Sequence, residues 1–320
     1  MSRKGQDLYS VMPYTFYTKV TREDVTAMLV YLRTLPSVRN AVDGDQLRFP
    51  FDIRLTQLFW RELFFTEGTY AVDPTRSAEW NRGAYLIEGL GHCGACHSPR
   101  DALGGIERSE RLTGAKVDHW FALNLTSDLR TGIGGWSEDQ VMAFLKNGAA
   151  KGKATALGPM AEVVHNSLRQ LTDQDLRAMA VYLKSVPAAV TPEREAAEAL
   201  PPRDAVLYVQ NCAGCHQAKG TGIAGTFPPL VGNPVVLAAN PADVLSVVVQ
   251  GVPSRGGYMA LPSFAASLSD QEIADVANYV RGSWGNSTPR PVTTADVAAW
   301  RVPPGRRPRC HRRSPNPCQA

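Results

Sequence analysis

The chain has 320 residues, enough for about two or three small domains, and its 44% of hydrophobic residues is ordinary for a globular protein. Its net charge of +4 depends on six arginines within residues 301–320; the rest of the chain carries −2, and nothing in it predicts nucleic-acid binding. Four of the six cysteines fall in two short motifs, and the other two, Cys310 and Cys318, lie near the end, so no disulfide framework is indicated.

We predict no targeting segment at the beginning of the chain, which does contain a helix pattern. The stretch "MSRKGQDLYSV" lacks an apolar core and a small-residue cleavage site, so we predict no signal peptide in the chain. Thr21 followed by Asp24 is a variant of the N-terminal capping box, and Pro36 ends the helix pattern. The segment predicts an amphipathic helix that buries one apolar stripe, made of Val25, Met28, Leu29 and Leu32.

The richest apolar segment, "FPFDIRLTQLFWRELFF" at residues 49–65, leaves two interpretations open. Its aromatic and aliphatic side chains suit a membrane interface or a docking surface for a partner subunit, with arginines at Arg54 and Arg61. The other interpretation is a connector packed between domains. No run of about 20 apolar residues occurs, so the sequence predicts no membrane-spanning helix.

The first cysteine motif, "GHCGACHSPR", contains Cys93, Cys96 and His97. One helical turn places both thiols and the imidazole around one small patch, which suits covalent haem attachment through two thioethers with the histidine on the iron. A structural zinc site needs four ligands, and no second pair lies nearby in sequence. A thioredoxin-like disulfide would follow a strand, and no strand pattern is evident.

The motif recurs as "QNCAGCHQAKG", with Cys212, Cys215 and His216. Two copies among six cysteines make coincidence improbable, so we predict haem c at both places. A methionine follows each copy: Met160 comes after Gly-Pro in a predicted loop, and Met259 lies in "GGYMALPSF". Thioether sulfur opposite a histidine favours ferrous iron, so we predict both methionines as axial ligands, against the alternative of core methionines.

The helix pattern of residues 21–36 is repeated twice more, at residues 172–187 and 269–284. Each copy opens with a hydroxyl residue and an acidic residue three positions later, and has apolar residues at i, i+3, i+4 and i+7. A tyrosine recurs at the same position in all three, as Tyr31, Tyr182 and Tyr279.

These motifs, together with "LTSDLRTGIGGWSEDQVMAFLKNG" and "GTFPPLVGNP", resemble the cytochrome c subunit of bacterial membrane-bound alcohol and gluconate dehydrogenases. The resemblance covers nearly all of residues 8–287. It implies an all-α fold of tandem class I cytochrome c domains with covalently attached haems. Residue by residue, Cys93, Cys96, His97 and Met160 match the family's second haem site. The third site is matched by Cys212, Cys215, His216 and Met259. A proline carbonyl of the family holds the proximal histidine, and Pro228 or Pro229 lies at that place.

The sequence also departs from the family pattern. Residues 8–36 resemble only the end of a first domain, and Met12 has no Cys-x-x-Cys-His before it, so we expect no ligand role for it. This departure indicates an N-terminally truncated chain or a start assigned too far downstream. "MALPSF" moves Met259 two positions ahead of the family's Met-Pro, and Leu123 stands where the family has proline.

We therefore predict an electron-transfer subunit that is no enzyme by itself. The resemblance implies two haem c groups, a dehydrogenase catalytic subunit, ubiquinone and the membrane surface as partners, and a peripheral place on the periplasmic side of the inner membrane. A dihaem peroxidase with one open haem site is the alternative. The predicted segments are a first-domain remnant (1–45), an apolar connector (46–75), two cytochrome c domains (76–190 and 191–286) and a disordered basic tail (287–320).

Overall fold

The computed structural model describes residues 5, 7–9, 11–40, 49, 53–189, 202–254 and 257–301. The predicted all-α class is confirmed in its main part, because the described residues are mostly helical, with a few short strands. The α-helices are α1 (Tyr14–Tyr17), α2 (Arg22–Thr34), α3 (Leu55–Phe64), α4 (Ala78–Tyr85), α5 (Gly94–His97), α6 (Glu138–Asn147), α7 (Gly158–Asn166), α8 (Asp173–Ser185), α9 (Pro202–Asn211), α10 (Ala213–His216), α11 (Pro234–Leu237), α12 (Ala242–Gln250), α13 (Asp270–Gly282) and α14 (Thr294–Arg301). The strands are β1 (Ala115–Val117), β2 (Trp120–Ala122), β3 (Ala149–Ala150) and β4 (Ala154–Thr155), and they pair as β1–β2 and β3–β4.

The chain forms two compact units. One comprises Met1–Ala115, Asn124–Met142 and Gln170–Ala189, and the other comprises Lys116–Leu123, Ala143–Arg169 and Val190–Ala320. Residues 76–190, which the sequence predicts as one domain, therefore contribute to both units. Residues 190–201, where the two predicted cytochrome c domains meet, and the end of the tail, with Cys310 and Cys318, lie outside the described residues.

The three repeated helices begin where the sequence predicts. The hydroxyls of Thr21, Thr172 and Ser269 accept hydrogen bonds from the backbone N–H three residues later, at 3.2, 3.1 and 3.3 Å. Of the three, Ser269 also makes the reciprocal bond of a full capping box, in which its backbone N–H donates to the Glu272 carboxylate at 2.8 Å. These contacts satisfy N–H groups that the first helical turn leaves free.

In the first unit, α4 packs against α8, and a glycine allows the close approach. A Cβ atom at Gly83 would lie 1.9 Å from the carbonyl oxygen of Ala178, so only glycine fits this crossing. The apolar stripe of α8 is buried as predicted, through Leu176, Met179, Ala180 and Leu183. The contact buries apolar side chains of the helix that leads into the first cysteine motif.

The predicted burial of the α2 stripe is wrong. Val25, Met28, Leu29 and Leu32 are all exposed, and no residue of α2 is buried in the described part of the chain. The helix is held at its N-terminus instead, where the Tyr85 hydroxyl accepts a bond from the Thr21 N–H and donates to Asp24 at 2.5 Å. The amphipathic pattern therefore predicts the helix correctly, but it does not determine whether the apolar stripe is buried.

Helix α3 lies within the apolar segment and buries only one side. Trp60 and Phe64 pack on each other, Trp60 donates to the Leu103 carbonyl at 3.0 Å, and the Tyr14 ring meets the Trp60 ring edge-on. The opposite side remains exposed, through Leu55, Phe59 and Leu63. In the described residues, no helix has both the length and the apolar character to cross a bilayer.

The second unit is built on α9, α12, α13 and α14. Its core contains the buried stripe of α13 (Ile273, Val276, Ala277 and Val280) together with Tyr208, Leu245 and Val297. The prediction of a disordered tail from residue 287 is wrong for residues up to 301. Val292 and Val297 are buried and α14 packs on α13, because Val297 and Trp300 lie three residues apart on one face of the helix and pack against the core of the second unit.

Candidate haem-attachment sites

The first motif forms a single helical turn, as its spacing predicts. Cys93 precedes α5, and Cys96 and His97 lie on it, directly after a π-helical turn at Leu86–Leu90. Cys93 is partly buried and Cys96 is exposed, and burial raises the pKa of the Cys93 thiol to about 12. A redox disulfide needs an attacking cysteine with a lowered pKa, and the raised pKa of Cys93 does not support that alternative.

A buried carboxylate stands just before this motif, in the π-helical turn. Glu88 accepts hydrogen bonds from Lys19 at 2.8 Å and from the Tyr182 hydroxyl at 2.5 Å, and it pairs with Arg111. Burial lowers the pKa of both Lys19 and Arg111. Sequence reasoning missed this cluster; the recurrence of tyrosine at position 182 was its one signal.

His92, the neighbour of Cys93, packs against two aromatic rings of α1, Phe16 and Tyr17. Its backbone φ is +37°, its Nδ1 lies 3.0 Å from the Leu90 carbonyl oxygen, and its ring meets the edge of Tyr17. These contacts place the imidazole in the packing between α1 and the motif.

The second motif, on α10, positions its histidine for a metal. His216 is buried, and its Nδ1 lies 3.0 Å from the carbonyl oxygen of Pro228. A carbonyl only accepts, so Nδ1 carries the proton and donates it, which leaves the lone pair on Nε2. Burial lowers the pKa of His216, which favours the neutral imidazole that a metal requires. Of the two prolines that the resemblance allows, the structure assigns this role to Pro228.

The loop that carries Pro228 approaches the motif closely. The N–H of Gly222 donates to the His216 carbonyl at 3.0 Å, and Gly222 has a φ of +64°. A Cβ atom there would lie 2.6 Å from the Pro228 oxygen, so a larger residue would displace the carbonyl that holds the histidine.

The two predicted axial methionines lie in different surroundings. Both belong to the second unit, together with His216. The prediction of a loop around Met160 is wrong, because Met160 is the third residue of α7, directly after Pro159 in the first helical turn. Met259 is 58% exposed, and its backbone N–H donates to the Thr226 carbonyl at 2.9 Å.

The chemistry of these residues fits haem c better than a protein-ligated ion. Within the described ranges, no group of three or more His, Cys, Asp or Glu side chains could hold a metal ion, which disfavours the zinc alternative. Next to Met259, the buried Tyr258 hydroxyl has no hydrogen-bond partner among the described residues. Buried polar groups rarely stay unpaired, so this hydroxyl fits a site whose polar partner is a bound group.

Comparison with known proteins agrees with this chemistry. A family model described as cytochrome C oxidase, cbb3-type, subunit III, matches residues 200–280. The chain is 37% identical to the alcohol dehydrogenase (quinone), cytochrome c subunit, of Gluconacetobacter polyoxogenes, over 93% of this chain and 69% of that protein. The chain belongs to this family of dehydrogenase cytochrome c subunits. The family thus makes it a haem-binding electron-transfer protein of the cytochrome c type.

Two further relatives of the cytochrome c subunit serve different dehydrogenases. The gluconate 2-dehydrogenase cytochrome c subunit of Pantoea cypripedii is 36% identical over 94% of this chain and 74% of its own length. The fructose dehydrogenase cytochrome subunit of Gluconobacter japonicus is 35% identical over 88% of this chain and 65% of its own length. Relatives with three different substrates share this subunit type, so the likeness identifies an electron carrier and not one substrate.

Proposed function

We propose that this cytochrome c subunit carries electrons from a periplasmic quinoprotein or flavoprotein dehydrogenase to ubiquinone in the membrane. Its relatives are named as cytochrome subunits of dehydrogenases, one of them quinone-linked. The observation that carries the proposal is the His216–Pro228 hydrogen bond on a Cys-x-x-Cys-His turn, which prepares an imidazole nitrogen to bind iron. Substrate oxidation then belongs to the partner subunit.

Two haem c groups are proposed for the chain, in tandem cytochrome c domains. Cys93 and Cys96 hold one group and Cys212 and Cys215 hold the other through thioethers, with His97 and His216 as proximal ligands. Met160 and Met259 are the proposed distal ligands. When bound, haem supplies one-electron redox chemistry, and the protein supplies fixed ligands, burial and a hydrogen-bonded histidine.

The proposed location is the periplasmic face of the inner membrane, with peripheral attachment. The exposed apolar side of α3 is the described surface best suited to it, because Leu55, Phe59 and Leu63 lie on a helix that also carries Arg61. The same side chains suit contact with the dehydrogenase subunit, which the sequence interpretation also allowed.

The experiment is electron transfer between purified components. The haem-loaded chain is mixed with a quinoprotein alcohol dehydrogenase catalytic subunit and ethanol, and haem reduction is followed by absorbance before a short-chain ubiquinone is added. We expect reduction that needs both ethanol and the catalytic subunit, then reoxidation by the quinone. Failure of the quinone to reoxidise a reduced sample would contradict the proposed acceptor.

One observation favours a second candidate, a dihaem peroxidase. Met259 is largely exposed and displaced from the family position, which fits an open coordination site at the second haem. Spectra separate the two candidates. Electron transfer predicts low-spin His/Met haems, whereas a high-spin haem that reacts with hydrogen peroxide would favour the peroxidase.

A further inference from the structure

Asn233 is a buried asparagine that joins separate parts of the second unit. It precedes α11 and is only 6% exposed. Its Oδ1 accepts from the Val235 N–H at 3.0 Å, while its Nδ2 donates to the Pro229 carbonyl at 2.8 Å and to the Lys153 carbonyl at 3.1 Å. Both donor hydrogens and one acceptor lone pair are used, so the orientation of the side chain is fixed.

The first of these donated bonds bears on the histidine loop. Pro229 follows Pro228, whose carbonyl holds His216. Two consecutive prolines have no N–H and a fixed φ, so the directions of their carbonyls depend on ψ and on what the carbonyls contact. Asn233 holds the second carbonyl of the pair and thereby restricts the rotation that would turn the first one away from His216.

The second donated bond reaches a different segment. Lys153 lies in the turn between β3 and β4, and its own N–H donates to Ala150 at 3.0 Å. That hairpin leads directly into α7, which carries Met160. A single side chain thus contacts the loop of one proposed haem ligand and the hairpin before another.

We propose that Asn233 is a positioning residue that sets the His216–Pro228 hydrogen bond and ties it to the β3–β4 hairpin. The inference rests on the proposed function, in which His216 binds haem iron. A hydrogen bond on Nδ1 raises the basicity of the imidazole and stabilises ferric iron. Loosening the proline pair should therefore raise the reduction potential of the haem bound by His216, called the second haem of this chain. The haem at Cys93 and Cys96, the first of this chain, should be less affected.

The test compares Asn233→Ala and Asn233→Ser in the haem-loaded full chain. Serine keeps the cap of α11 but is too short to reach the two carbonyls, so it separates capping from positioning. The matched control is Asn278→Ala, because Asn278 also bonds backbone groups, the N–H and carbonyl of Val292 at 2.7 and 2.9 Å, and contacts no part of the proline loop.

Spectroelectrochemical titration measures the haems, and amide hydrogen exchange measures the hairpin. In both Asn233 variants we expect the reduced-to-oxidised ratio of the second haem, at a fixed ambient potential, to rise by about threefold or more. Exchange in residues 149–155 should quicken. Asn278→Ala should lower stability without moving the potential.

An unchanged potential with normal haem content in both Asn233 variants would overturn the inference, as would a shift in the alanine variant alone. Equal shifts in Asn233→Ala and Asn278→Ala would also overturn it, because the effect would then be general loosening. A chain without covalent haem would overturn the proposed function and this inference with it, and haem content distinguishes that failure from the others.

Discussion

Helices α2 and α8 carry nearly the same pattern of side chains, but only α8 buries its apolar stripe. Position by position, Leu183 is 3% exposed and its counterpart Leu32 is 58% exposed, while Met179 is 1% and Met28 is 43% exposed. Both helices have 13 residues and the same threonine cap. Local sequence therefore sets where each helix begins and ends, and packing against another helix decides burial.

The partner helix makes the difference. Helix α8 lies against α4, where Gly83 lets the backbones approach, and α4 leads into the first cysteine motif. In the described residues, no residue of α2 is buried, and the helix is anchored at its start through Tyr85. The same pattern of side chains thus contributes differently to the stability of the fold in α8 and in α2.

The largest expected effect comes from a side chain that blocks the close approach of α4 and α8. In Gly83→Val the new side chain would collide with the Ala178 carbonyl, and we expect a loss of about 3 kcal/mol or more in unfolding free energy. Guanidinium unfolding of the haem-loaded chain measures it. The control is Ala27→Val, at the position of α2 that corresponds to Ala178, which should change stability by only about 0.5 kcal/mol. Similar losses of unfolding free energy in both variants would contradict the difference in packing between α8 and α2.

The matched leucines give the next largest difference. Leu183→Ala leaves a cavity in a packed contact and should cost about 2–5 kcal/mol, while Leu32→Ala removes an exposed side chain and should cost about 0.5 kcal/mol or less. The two variants are compared by the same unfolding assay. A large cost for Leu32→Ala would mean that the stripe of α2 is covered in solution.

The recurring tyrosine makes a buried hydrogen bond on α8 but is exposed on α2. Tyr182→Phe removes the hydroxyl that donates to the buried Glu88 and should cost about 1.5–3 kcal/mol, since the acceptor is charged. Tyr31→Phe on the exposed helix should be near neutral. Thermal melting of both variants provides the measurement, and equal melting temperatures would show that Glu88 finds another donor.

The smallest expected effect is a pH dependence from Asp175, in the first turn of α8. Hydrogen bonding from Arg82 holds the pKa of Asp175 below its ordinary value of 3.8. A depressed folded pKa stabilises the fold above the unfolded pKa, and this contribution disappears as pH falls through the folded value. Asp175→Asn and Arg82→Gln should each flatten the acid limb of the stability curve below about pH 4. An additive double variant would contradict the pairing.

Much of the local structure was predictable because it depends on neighbouring residues. The caps at Thr21, Thr172 and Ser269 and the helical turns of both cysteine motifs follow from short spacings that local hydrogen bonds enforce. The repeat also identified all three amphipathic helices, since a 3.6-residue period is a property of the segment itself.

What the sequence did not reveal depends on residues far apart in the chain. Glu88 looks like a lone acid in "YLIEGL" until Lys19 and Arg111 meet it, and Asn233 looks like a turn residue until it reaches Lys153. Helix α14 was hidden because the prolines and arginines around it resemble a disordered tail. The burial of α14 depends on its contact with α13, and no local pattern in the sequence encodes that contact.

The most direct test of the central claim is the mass of the chain after denaturation and acid extraction. Produced with a c-type cytochrome maturation system, the unsubstituted chain should retain the added mass of two haems. A Cys212→Ala/Cys215→Ala variant and a Cys93→Ala/Cys96→Ala variant should each retain one. A bare polypeptide mass, or haem that is lost on extraction, would contradict covalent attachment at these motifs.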